Sequence, residues 1–119
     1  MKNCTDIKQS KKLAEILPIE SADHFHIIGH LHTDGPRYEV IRPRNEVSEP
    51  DKFWPCWSFA ALFEVLPDGT DVTKDKSDTE NEKYMCTVGV KDDIISTFAN
   101  NPVDACVEMV LKLAKLNQM

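Results

Sequence analysis

The chain has 119 residues, of which 41% are hydrophobic and 29% charged, and a formal net charge of −6. That length suits one domain with its own core, 1–119, and the composition excludes a collagen-like, low-complexity or wholly disordered chain. The acidic surplus argues against direct nucleic-acid binding, and it is uneven: residues 1–44 carry seven Lys or Arg against six Asp or Glu, residues 45–119 seven against fourteen.

The first residues, MKNCTDIKQSKKLAEILP, lack the apolar run of about 7–15 residues that a secretion signal needs, and no segment approaches the roughly 18 apolar residues of a membrane span. The expectation is a soluble, cytoplasmic protein. Cys4, Cys56, Cys86 and Cys106 form no C-x-x-C pair, so they read as reduced thiols, three of them in apolar surroundings and buried, rather than as reactive or zinc-ligating groups.

In chain order, Thr5 is the expected cap of a first helix over Asp6–Leu17, with Ile7, Leu13, Ala14, Ile16 and Leu17 as its apolar stripe and Pro18 as its stop. Lys8, Lys11 and Lys12 read as a solvated face of that helix. Two strand-like runs follow, His24–His32 and Arg37–Arg42, joined by Thr33-Asp34-Gly35-Pro36. A four-residue loop keeps Pro36 out of the ladder, and that register sets His32 opposite Arg37, His30 opposite Glu39 and Gly29 opposite Val40. PRNEVSEPDK at 43–52 is a loop, and PCWSFAALFEVLPDG predicts a second helix over Trp57–Leu66, apolar on all sides and the most buried of the three. Trp54 and Trp57 read as aromatic anchors at its start, and Asp68-Gly69 as the turn after it. Residues 68–83 form a long acidic loop, unless a short strand lies near Val72. Tyr84–Val90 and Ile94–Ala99 predict a second hairpin about Lys91-Asp92-Asp93. Asn101 then caps the final helix, with Pro102 at its first position and Asp104 near the positive end of its dipole; Val103, Cys106, Val107, Val110, Leu113 and Ala114 face the core. The order is α-β-β-α-β-β-α, which predicts an α+β fold: an antiparallel sheet of about four strands covered on one side by three helices.

The four histidines of HFHIIGHLHTDG fall at His24, His26, His30 and His32, all on one face of an extended strand. A His-x-His pair on a strand spaces two imidazoles about 6.6 Å apart, so His30 and His32 with Glu39 form a candidate metal site, zinc by its donor set, with a fourth position open to water. Against this, His26 and His30 are roughly 13 Å apart along the strand, and Arg37 puts a positive charge beside the site. The segment HLHTDG is similar to the opening of metal centres in the polymerase-and-histidinol-phosphatase superfamily, but the several further His and Asp residues those centres use have no counterpart after His32. No catalytic constellation is evident: Ser58 lacks a G-x-S-x-G setting, and four glycines make no phosphate loop.

Three segments, KLAEILPIESAD at 12–23, PCWSFAALFEVLPDG at 55–69 and NNPVDACVEMVLKLAKL at 100–116, resemble small proteins encoded in prophage-like or mobile-element regions of gut bacteria. The resemblance covers somewhat over a third of the chain and implies a phage-related, cytoplasmic protein without a defined activity. The leading expectation is therefore a non-enzymatic accessory or protein-interaction protein without a cofactor, able to self-associate through an uncovered sheet face or strand edge. The alternatives are a small zinc-binding protein or metal-dependent hydrolase using His30, His32 and Glu39, and an acidic inhibitor of a DNA-binding protein.

Overall fold

The final helix, α3 (Pro102–Lys115), forms where the local signals agree. Asn101 Oδ1 accepts the Asp104 amide at 2.8 Å, Pro102 occupies the first turn, and Lys112 and Lys115 sit in the last, where they complement the helix dipole. In this computed structural model residues 2–30, 37–47, 53–74 and 84–116 are described; for residues 28–30 and 37–39 the description is of the backbone alone. Val103, Ala105, Cys106, Val107, Met109, Val110 and Leu113 of α3 are all buried, and the helix packs on two other helices and two strands.

The fold is α+β; the described residues form three α-helices and six strands in two antiparallel sheets of three. The first sheet has the order β2-β1-β3, with β1 at His24–His30, β2 at Arg37–Pro43 and β3 at Trp54–Cys56. The second has the order β4-β5-β6, from Asp71–Lys74, Tyr84–Val90 and Asp93–Ala99. The predicted element order holds, with one short strand added before the second helix and one before the second hairpin. The latter, β4, is the strand anticipated near Val72. The expected hairpin loop at 33–36 and much of the acidic loop lie outside the described residues.

Alternation along β5 and β6 gives the second sheet two unlike faces. Cys86 and Val88, with Tyr84, Val90, Val72, Ile95 and Ala99 around them, pack on the main core, which α1, α2 and α3 complete through Leu13, Leu62 and Leu113. The opposite face carries Met85, Thr87, Gly89, Ile94, Ser96 and Phe98, all exposed or half-buried.

Four expectations need correction. Helix α1 spans Ile7–Ala14 and is capped by Asp6 in a reciprocal box with Gln9, whereas Thr5 is fully buried and turned inward. Residues 15–17 leave the helix in a tighter turn, with the Glu15 amide bonded to the Lys12 carbonyl at 3.3 Å and the Ile16 amide to the Leu13 carbonyl at 2.9 Å. Helix α2 is shorter than expected, Phe59–Val65, because Ser58 caps it through the Ala61 amide and leaves Trp57 in the preceding segment. It is also not the most buried helix, since Phe59 and Phe63 stand on its outer side with ring centroids 5.8 Å apart while α3 supplies the core. Finally, the β1–β2 register is shifted by two from the predicted one: His30 pairs with Arg37 and Glu39 with Ile28. A shift of two preserves which residues share a face, so only the partners change.

Residues 67–70 close a tight turn, with the Thr70 amide on the Pro67 carbonyl at 3.2 Å; Gly69, at φ 86°, takes the left-handed position that favours glycine. Lys2 Nζ lies 2.7 Å from Gln9 Oε1 and 2.8 Å from Asp104 Oδ1, tying the first residues to the start of α3.

Candidate functional site

The histidine strand is divided by what covers it. His26 is 2% exposed and its Nε2 donates to the Thr5 carbonyl at 2.8 Å, so the segment leading into α1 caps this part of the sheet. The cover comes from the N-terminal side rather than from the helix after Trp54; Trp54 itself stays 43% exposed beneath Lys11. Phe25, on the opposite face, is fully buried under the Arg44 guanidinium, 5.2 Å from its ring centre. Of the three residues expected to hold a metal, His32 lies outside the described residues, and His30 and Glu39 occupy different rungs of the ladder. Among the described residues no group of three or more His, Cys, Asp or Glu side chains is arranged to hold a metal ion.

The concentration of polar chemistry lies at the other end of β1, where three chain segments meet. An isolated antiparallel bridge joins Cys4 to Ser58, while β3 sets Cys56 directly opposite His24. Counting along these ladders by twos places Cys4, Ser58, Cys56 and His24 on one side of the sheet. Asp23 ties them together. Its Oδ1 accepts the Ser58 amide at 2.9 Å and lies 3.0 Å from His24 Nδ1, and its Oδ2 accepts the Ser58 hydroxyl. Ser58 thus caps α2 with an orientation that Asp23 enforces from a segment 35 positions away.

Burial acts to raise the Asp23 carboxyl, but hydrogen bonds from His24 and from the Ser58 hydroxyl and amide together hold it below the usual carboxylate range. A depressed folded value means that the ion stabilises the fold fully above the ordinary carboxylate pKa, and that this contribution fades as pH falls through the folded value. The stability gap between the protein and Asp23→Asn, measured by urea unfolding, is therefore expected to be larger at about pH 6 than at about pH 2.5. An equal gap at both would mean that the charge of Asp23 is immaterial to the cluster.

Beside Asp23 and His24, the Cys56 thiol donates to the Cys4 sulfur. That bond lowers the Cys4 thiol to about 7 against the opposing effect of burial, with the His24 ring adding to the lowering and Asp23 opposing it. A second thiol pair, Cys86 with Cys106, is fully buried between β5 and α3; there the Cys106 thiol donates to Cys86 and is itself pushed up. All four cysteines are buried, one more than expected, and none is in a disulfide. The sequence reading missed the Cys4–Cys56 pair because its members are far apart in the chain and each, taken alone, is an ordinary apolar thiol.

A different kind of surface runs along β6. Among the described residues its only strand neighbour is β5, and no other strand pairs with its outer edge. A groove of about 570 Å³ follows that edge at Ser96–Asn100 and is walled by Gln9, Asp104 and Glu108. Ile94 is 76% and Phe98 42% exposed on the open face beside it. Among the described residues no helix is long and apolar enough to cross a membrane. No protein-family model, curated protein or solved structure matches the chain.

Proposed function

We propose that the chain is a non-enzymatic interaction protein that pairs with a second copy of itself along β6. The observation that carries this reading is the character of that edge. Sheet edges ordinarily carry proline, charge or a short length that blocks pairing. The edge strand β4 carries Asp71 and Lys74, β2 contains Arg37, Arg42 and Pro43, and β3 has three residues centred on Pro55. Strand β6 has seven residues, no proline and one charge, Asp93 at its start.

Its sequence, DIISTFA, is also matched to antiparallel self-pairing about Ser96. In that register Ile94 faces Phe98 of the second copy on the open side, Ile95 faces Thr97, and Asp93 faces Ala99, so no like charges meet. The two large apolar side chains most exposed on this sheet thereby cover each other. The groove beside Thr97 carries Glu108 together with Lys12, Lys112 and Lys115, so its walls do not present a single sign of charge to the copy. An accessory role in a phage or mobile element, in the cytoplasm, is consistent with such a protein.

Sedimentation velocity over a range of protein concentration tests the reading. A dimer is expected at micromolar concentration, weakened about tenfold or more by Ile94→Lys while the circular dichroism spectrum is unchanged. A protein that stays monomeric at high concentration, or a dimer indifferent to Ile94→Lys, would remove the proposal.

A further inference from the structure

We infer that Cys4 and Cys56 form a redox-active dithiol, a modification site at which a small hydroperoxide converts the pair to an intramolecular disulfide. The geometry carries this. The two thiols are in hydrogen-bond contact, on one side of a sheet seam formed by the Cys4–Ser58 bridge and the His24–Cys56 rung. Asp23, held by the Ser58 amide and hydroxyl, lies 3.0 Å from the Nδ1 of His24 beside them. Cys4 retains 6% exposure and Cys56 none, which assigns the attacking role to Cys4 and the resolving role to Cys56.

The acidity of Cys4 supports the same assignment, because a thiol lowered to about 7 is substantially ionised near neutral pH and the thiolate is the nucleophile. In the first step the Cys4 thiolate attacks one oxygen of hydrogen peroxide. A sulfur–oxygen bond forms, the oxygen–oxygen bond breaks, and the departing hydroxide takes up a proton as water, leaving a sulfenic acid. In the second step Cys56 gives up its proton and attacks the Cys4 sulfur. The sulfur–oxygen bond breaks, hydroxide leaves with that proton as a second water, and the disulfide forms. Across both steps two thiols lose two electrons and two protons, and one peroxide becomes two waters. His24 is a positioning residue whose imidazole lowers the Cys4 thiol electrostatically.

The Cys86–Cys106 pair is an internal control. It is in comparable thiol contact but fully buried between a strand and a helix, with Asp71 rather than a histidine as its charged neighbour. Its full burial is expected to keep it reduced while Cys4 and Cys56 are oxidised.

The test exposes the full-length reduced protein to hydrogen peroxide under native conditions, then unfolds it in acid, alkylates it and maps it by mass spectrometry. Loss of two hydrogens from a peptide pair linking Cys4 to Cys56 is expected, with Cys86 and Cys106 still alkylated. In Cys56→Ala the oxidation is expected to stop at Cys4 as a sulfenic acid that dimedone captures. The native alkylation rate of Cys4 is expected to rise with pH about a midpoint near neutrality, moving upward in His24→Gln, a shift that a merely structural histidine would not produce. Cys4→Ser and Cys4→Ala are both expected to abolish the linkage. Oxidation of all four cysteines alike, a disulfide joining any other pair, or Cys4 alkylating no faster than Cys86 would overturn the proposal.

Discussion

Replacing Trp57 by alanine is expected to destabilise the protein by about 3–5 kcal/mol, enough to consume much of the roughly 5–15 kcal/mol that holds a domain of this kind folded. Trp57 is fully buried within the main core cluster, and its indole N–H donates to the Ser21 hydroxyl at 2.9 Å. Its amide and carbonyl also pair with Thr5, so it packs the core and anchors the N-terminal segment at once. Removing the ring leaves a void in the core cluster that its neighbours can fill only in part. Thermal unfolding followed by circular dichroism is expected to show a midpoint lower by about 10–20 °C. Intrinsic fluorescence provides a second readout, because the remaining indole, Trp54, is 43% exposed and emits as a solvated ring. Trp57→Phe keeps most of the packing and gives up the bond to Ser21; a loss as large as that of the alanine variant would show that the polar contact, and not the packed ring, dominates.

The next largest effect is expected at a small residue. Thr5 is fully buried, its hydroxyl accepts the Trp57 amide at 3.0 Å, and it shares a 2.8 Å hydrogen bond with the Ser10 hydroxyl, itself buried on α1. Thr5→Val keeps the shape and strips both partners of their bond in a place that water does not reach. Leaving two buried polar groups unsatisfied costs about 2–4 kcal/mol, whereas Thr5→Ser deletes one methyl and costs about 1 kcal/mol. Equilibrium urea unfolding of the two variants distinguishes these outcomes. Equal losses would mean that the methyl group matters and the hydroxyl does not.

Those two sites also show which parts of the fold were legible in the sequence. Helix α3 announced itself through Asn101, Pro102 and a stripe of apolar residues, all signals that act within a few positions. The β5–β6 hairpin was equally plain, because alternation and a polar turn are local properties. What escaped notice depends on contacts across long stretches of chain. Thr5 resembles a helix cap and acts instead as a buried link to Trp57, 52 positions away. Strand β3 contains Pro55 and has only three residues, so nothing but its pairing with β1 identifies it as a strand. Ser58 starts α2 because Asp23 holds it, a fact invisible in an otherwise continuous apolar run.

The candidate site follows the same division. The histidines were conspicuous because they cluster in sequence, yet tertiary cover turns His26 into a core group bonded to a backbone carbonyl. The cysteines were inconspicuous because they do not cluster, and the fold pairs them two by two. Composition and spacing report chemistry that lies along the chain, whereas this chain assembles its most reactive groups from segments that only the sheet brings together.

The clasp between Lys2 and Asp104 joins residues 102 positions apart, and α3 is the element against which the other two helices bury their apolar sides. During synthesis on the ribosome, α1 and α2 emerge long before that partner exists. Until α3 is made, Leu13, Leu62 and Trp57 lack the shared interior that it completes, and their apolar surface stays uncovered in the meantime. Native packing of α1 and α2 is therefore expected to wait on the synthesis of α3.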